Sequence, residues 1–131
     1  MVLVDTSVWI QHLRYGEARL VSLLGEREVQ CHPFVLGELA MGNLRRRAAT
    51  LEELTRLPMA ALASDAEVRS LVESRRLHGR GLSYSDAHLL ASLRLASDAT
   101  LWTADQKLRQ AAAEMGLEYA GRRPGWAGMV Q

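Results

Sequence analysis

Residues 2–10 of the chain read VLVDTSVWI, and this stretch decides the predicted fold. Its first three residues form a short apolar run of the kind that favours a buried strand. The polar residues Asp5, Thr6 and Ser7 that follow are of the kinds that cap the start of a helix. The stretch therefore predicts a strand that passes directly into a helix, with an aspartate at the junction.

The rest of the chain repeats this alternation of short strands and helices. Further strands are predicted at 29–32, 59–62, 100–103 and 117–120. Further helices are predicted at 17–24, 33–41, 47–57, 64–77, 83–96 and 104–115, with glycine or proline at several of their boundaries. This order predicts an α/β protein with a three-layer α/β/α arrangement, in which helices flank a short, mainly parallel central sheet.

Length and composition predict one globular domain. The 131 residues are 48% hydrophobic and 24% charged, and they predict a single domain at 1–131 with an irregular tail at 121–131. The one cysteine, Cys31, cannot form an internal disulfide. No apolar run approaches the ~20 residues that cross a bilayer, and the start lacks the features of a signal peptide. We therefore expect a cytoplasmic protein with no membrane segment.

The charge balance alone does not indicate a nucleic-acid-binding protein. Sixteen basic residues oppose fifteen acidic ones, and the formal net charge is +1. All basic residues except Lys107 are arginines, with clusters at 45–47, at 75–76 together with Arg80, and at 122–123. Arginine suits phosphate recognition, but such clusters also occur as ordinary solvated surface, and both interpretations stay open.

Four acidic residues form the predicted functional site. Asp5 and Asp105 follow strands directly, at the sheet edge where open parallel sheets place their sites. Asp86 lies three, four and seven residues before leucines, which places it on the helix face expected to pack on the sheet. Glu38 falls on or beside the apolar face of its helix, where a lone carboxylate would be desolvated. Each aspartate could instead be a simple helix cap.

Carboxylates that meet at one edge repel each other, and a divalent cation would relieve that repulsion. An oxygen-only ligand set favours Mg²⁺ or Mn²⁺ over zinc. With such cations the natural chemistry is hydrolysis of a phosphodiester by activated water, and no covalent nucleophile is required. The hydroxyls of Thr6, Ser7 and Thr103 are predicted either to orient the carboxylates or bound water, or to act as ordinary caps.

Four motifs in order resemble those of PIN-domain proteins, and among these the VapC-type toxins of bacterial toxin–antitoxin pairs. The first is VLVDTSVWI around Asp5, and the second is VLGEL around Glu38. The third is LSYSDA around Asp86, and the fourth is TAD, which ends at Asp105. The resemblance runs from residue 2 to about residue 125.

This resemblance implies a small metal-dependent endoribonuclease that acts on RNA as a toxin. It implies that Asp5, Asp86 and Asp105 bind the metal and that Glu38 completes the catalytic site. It also implies a homodimer and neutralisation by a cognate antitoxin protein, with DNA contacted only indirectly, through that antitoxin.

Other protein classes fit less well. A haloacid-dehalogenase-like phosphatase would need a second aspartate at the position of Ser7. A receiver-like phosphoacceptor would need paired acids beside Asp5 and a lysine late in the sheet, whereas Lys107 falls in a predicted helix. The remaining alternative is a non-catalytic PIN-like module that binds RNA or protein.

Overall fold

The central sheet has three parallel strands in the order β2-β1-β3 in the computed structural model, which describes residues 1–96 and 98–121. The middle strand β1 (Val2–Val4) pairs with β2 (Val29–Gln30) and with β3 (Thr100–Trp102). The helices within those ranges are α1 (Thr6–Tyr15), α2 (Ala18–Gly25), α3 (Pro33–Met41), α4 (Arg47–Thr55), α5 (Asp65–Arg75), α6 (Tyr84–Leu95) and α7 (Gln106–Glu114). The predicted three-layer α/β/α fold class is confirmed.

Within the described residues, the sheet lacks the outer strand that the sequence predicts at each of its two edges. The segments at 59–62 and 117–120 are not strands; each contributes one parallel bridge, Met59 to Cys31 and Glu118 to Leu101. At the first edge, α3 begins directly after His32, and Pro58 has no N–H to donate, so the pairing cannot extend. The predicted tail at 121–131 lies outside the described residues except for its first residue.

Helix α6 carries much of the core, and Asp86 lies in its first turn. Seven consecutive residues, 87–93, are buried, and Leu90 is fully enclosed. The helix packs on α3, α5 and β3. Leu3 and Val4 of β1 are also fully enclosed, so the middle strand and α6 lie at the centre of the molecule. No helix in the described ranges is long and apolar enough to cross a membrane.

A capping box begins α5, as the sequence predicts. The Ser64 hydroxyl accepts from the Glu67 backbone N–H at 3.1 Å, and the Glu67 carboxylate accepts from the Ser64 N–H at 2.9 Å. Two N–H groups that the helix itself cannot pair are satisfied in this way. The bonds fix where α5 starts.

Replacing Ser64 by alanine should lower the free energy of unfolding by about 1 kcal/mol, because the Glu67 N–H loses its acceptor. Ser70→Ala is the matched control, since Ser70 is exposed in the interior of the same helix. Urea denaturation of both variants measures the difference. Equal stability of the two variants would show that the cap contributes nothing.

Candidate active site

Asp5 lies at the carboxyl end of β1 and is buried, with 7% of its surface exposed. It occupies the residue before α1, but its side chain makes no capping hydrogen bond to the helix. Instead its Oδ2 atom accepts from the Ser7 hydroxyl at 2.9 Å and from the Thr103 hydroxyl at 2.8 Å. The capping interpretation therefore fails for Asp5, and two hydroxyls hold its carboxylate in place.

The same two hydroxyls join the ends of β1 and β3. Thr103 Oγ1 accepts from the Asp105 backbone N–H at 3.0 Å, and Ser7 Oγ accepts from the Ala104 N–H at 3.0 Å. Thr103 is itself buried. The position of Asp5 relative to Asp105 thus depends on short side-chain bonds across the sheet edge.

Asp105 is exposed and does cap a helix. Its Oδ1 atom accepts from the Lys107 N–H at 2.8 Å and from the Leu108 N–H at 3.3 Å, at the start of α7. The bonds to the helix fix the direction of the carboxyl group. Capping and participation in a site are compatible here because only one carboxylate oxygen is used.

Asp86 is half-buried and forms a capping box with Ser83 at the start of α6. Its Oδ2 atom accepts from the Ser83 N–H at 2.9 Å. Burial raises the pKa of the Asp86 carboxyl, and the negative charges of Asp5 and Asp105 raise it further, against the lowering effect of the Ser83 bonds. The three aspartates are therefore close enough for their charges to interact.

Glu38 is exposed, which corrects the prediction that it is desolvated. The buried face of α3 consists of Val35 and Leu39, and at 100° per residue Glu38 is displaced from Val35 by about 60° around the helix. It nevertheless reaches the start of α1, because the Thr6 hydroxyl donates to Glu38 Oε1 at 2.7 Å. Glu38 and Thr6 form a second polar pair beside the buried Asp5.

The donor chemistry of this edge fits a hard cation. Hydrogen bonds within the described ranges use one oxygen of each aspartate, Oδ2 of Asp5 and Asp86 and Oδ1 of Asp105, and leave the other for a ligand. A cation would also offset the repulsion that raises the pKa of Asp86. However, no three acidic, histidine or cysteine side chains among residues 1–96 and 98–121 already form a group that could hold a metal.

Two contacts between residues distant in the sequence have no signal in the sequence itself. Lys107 lies over the backbone of Gly81, where an added Cβ would be 2.7 Å from its Nζ atom. The Arg19 Nε–H donates to the Tyr119 hydroxyl at 2.8 Å, although the two residues are 100 positions apart. No local spacing or periodicity indicates contacts of this kind, because they arise only when distant segments meet.

Asp86→Asn should raise the Tm at pH 7, measured by calorimetry in EDTA. The raised pKa means that the ionised form of Asp86 destabilises the folded state. This loss of folding free energy is complete above the folded-state pKa and disappears as the pH falls below the ordinary value of 3.8. Asparagine removes that cost and can still accept from Ser83. At pH 3 the variant and the wild type should have the same Tm. A lower Tm for the variant than for the wild type at pH 7 would contradict this account.

A parallel sheet with carboxylates at its carboxyl edge defines a small α/β protein with an acidic site. A family model described as the PIN domain matches residues 2–114, and the chain belongs to this family. It is 50% identical over 120 residues to Ribonuclease VapC32 of Mycobacterium tuberculosis, in strains CDC 1551 / Oshkosh and ATCC 25618 / H37Rv. These alignments cover 92% of this chain and 97% of each relative, so the resemblance seen in the four motifs is confirmed.

Proposed function

We propose that the protein is a Mg²⁺- or Mn²⁺-dependent endoribonuclease that acts as the toxin of a toxin–antitoxin pair. The observation that carries this proposal is that Asp5, held at the carboxyl end of β1, and Asp105, just beyond β3, lie near enough to Asp86 for their charges to raise its pKa. The similarity to proteins named ribonuclease supports the choice of RNA as substrate. A single domain at 1–131 would carry the activity.

Each polar residue of the edge has a proposed role. Asp5, Asp86 and Asp105 would bind the metal, and Glu38 would complete the catalytic site from α3. When bound, the cation would lower the pKa of a water molecule and stabilise the leaving oxygen of the phosphodiester. The Ser7 and Thr103 hydroxyls hold the Asp5 carboxylate, and the Thr6 hydroxyl holds Glu38.

The partners follow from the family resemblance. We propose that a cognate antitoxin protein binds and inhibits the enzyme, that the enzyme forms a homodimer, and that DNA is contacted only through the antitoxin. We also propose a cytoplasmic location, where the RNA substrate and the antitoxin would be available.

The second candidate function is a non-catalytic PIN-like module that binds RNA or protein. The observation in its favour is that the described residues contain no ready group of three metal-holding side chains. The two candidates differ in one measurable property, which is metal-dependent cleavage.

The test is incubation of the purified full chain with total cellular RNA in Mg²⁺, in Mn²⁺ or in EDTA. We expect discrete fragments with either metal and none in EDTA. The new ends should lack a 2′,3′-cyclic phosphate, because activated water rather than the ribose 2′-hydroxyl attacks. If the RNA stays intact in every condition, although the protein is folded and free of antitoxin, the proposed ribonuclease function is wrong. The non-catalytic binding module is then favoured.

A further inference from the structure

A cavity of about 950 Å³ lies at the β3 edge of the sheet. Its size is at the upper end of the roughly 300–1,000 Å³ typical of small-ligand sites. Thr103 and Ala104 form part of its lining. The Thr103 hydroxyl donates to Asp5 and the Ala104 N–H donates to Ser7, so two lining residues of the cavity contact the residues at the end of β1.

Two arginines line this cavity and have unused donors. The Arg109 Nε atom is buried and has no hydrogen-bond partner among the described residues. Arg19 is oriented by the bond from its Nε–H to the Tyr119 hydroxyl, and no further side-chain bond uses its guanidinium within the described ranges. Because the Arg109 Nε atom is fully enclosed, phosphate oxygens would be bound by the terminal guanidinium nitrogens of the two arginines.

Two aromatic rings also line the cavity. Trp102 and Tyr119 are each partly buried, and their ring centroids are 5.5 Å apart with a tilt of 44°. Base stacking on such rings tolerates any sequence and contributes substantially to the binding of single-stranded nucleic acid. Glu17 and Glu118 also line the cavity and balance the charge of the two arginines, so the cavity is not a general polyanion surface.

We propose that this cavity binds one nucleotide of the RNA strand next to the bond that is cut. Its base stacks against Trp102 and Tyr119, and its phosphate is held by Arg19 and Arg109. The proposal rests on the ribonuclease function proposed above, because the lining residues Thr103 and Ala104 directly precede Asp105 and bond to the end of β1, which gives the nucleotide its place relative to the reacting phosphate. It adds a substrate-positioning site to the four acidic residues.

The test measures binding of a fluorescein-labelled single-stranded RNA of about 12 nucleotides to the full chain in EDTA, where cleavage is absent. Arg19→Gln and Arg109→Gln should each weaken binding by about three- to tenfold. Each should also flatten the plot of log Kd against log salt concentration by about 0.7, which is the expected change for one lost phosphate contact on a single strand. Arg56→Gln is the control, because Arg56 is exposed near the opposite edge of the sheet.

Stacking is tested separately from charge. Trp102→Leu should weaken binding by about tenfold, whereas Trp102→Phe, which keeps a ring, should retain most of it. Thermal unfolding of each variant monitors the fold. A structural role alone would not make RNA affinity follow the presence of a ring, nor change the salt dependence in the arginine variants.

The possible results test the proposed nucleotide-binding cavity and the proposed ribonuclease function separately. If the arginine variants bind within about twofold of the wild type with an unchanged salt dependence, or if the wild type binds no RNA, the subsite is overturned. If binding depends on the cavity but no metal supports cleavage, the ribonuclease function fails and the cavity stands as an RNA site. If the wild type and the cavity variants cleave RNA equally well, the ribonuclease function is supported and the proposal that the cavity binds a nucleotide is wrong.

Discussion

Asp5→Asn should reduce RNA cleavage by at least about a hundredfold while the protein remains folded. The substitution removes the charge of the buried Asp5 carboxylate at the carboxyl end of β1. Loss of about 3 kcal/mol of metal-dependent stabilisation of the transition state corresponds to roughly that factor. The fold should survive because the amide oxygen can still accept from the Ser7 and Thr103 hydroxyls.

The measurement is the initial rate of cleavage of a mapped RNA fragment in saturating Mg²⁺. Asp98→Asn is the matched control, because Asp98 is exposed just before β3, at the amino end of the sheet and away from the acidic edge. It should cleave at the wild-type rate. Full activity of Asp5→Asn would remove Asp5 from the proposed site.

Leu90→Ala should lower the free energy of unfolding by about 2–5 kcal/mol. Leu90 is fully enclosed in α6, one turn after Asp86, where this helix packs on α3, α5 and β3. Removing most of its side chain loses buried apolar surface and leaves a cavity that close-packed neighbours fill only partly. For a domain with about 5–15 kcal/mol of stability, this is a large fraction.

Leu95→Ala is the matched control from the same helix. Leu95 is 50% exposed at the end of α6, so its loss should change stability by no more than about 0.5 kcal/mol. Urea denaturation followed by circular dichroism compares the two variants. Similar midpoints would mean that α6 is not anchored through Leu90, and that the position of Asp86 depends on other contacts.

The sequence predicted the fold class and the candidate acidic residues through local signals. The apolar run before Asp5 and the serines at 64 and 83 mark where a strand ends and where two helices begin, and the structure has these boundaries. Such signals depend on neighbouring residues, so they are visible before the chain folds. The same local signals predict an acid at the carboxyl end of β1 and another just beyond that of β3.

Local signals failed where burial depends on a distant segment. Glu38 follows apolar residues, yet it is exposed, because the neighbours of α3 cover only the face of Val35 and Leu39. The segments at 59–62 and 117–120 have the composition of strands, yet each pairs at a single residue. The exposure of Glu38 depends on which face of α3 another element covers. The pairing of 59–62 depends on its neighbour in the sheet, which passes into α3 directly after His32.

The sequence by itself determined that short strands alternate with helices, that the class is α/β, and which four acids are candidates for a site. Only the tertiary structure decided how the Asp5 carboxylate is held. Asp86 and Asp105 cap helices, whereas Asp5 is held by hydroxyls of Ser7 and Thr103, the latter 98 residues away. It also decided that Arg19 meets Tyr119 beside a cavity. Caps are set by residues within one turn, but contacts between distant residues exist only after the sheet has brought its strand ends together.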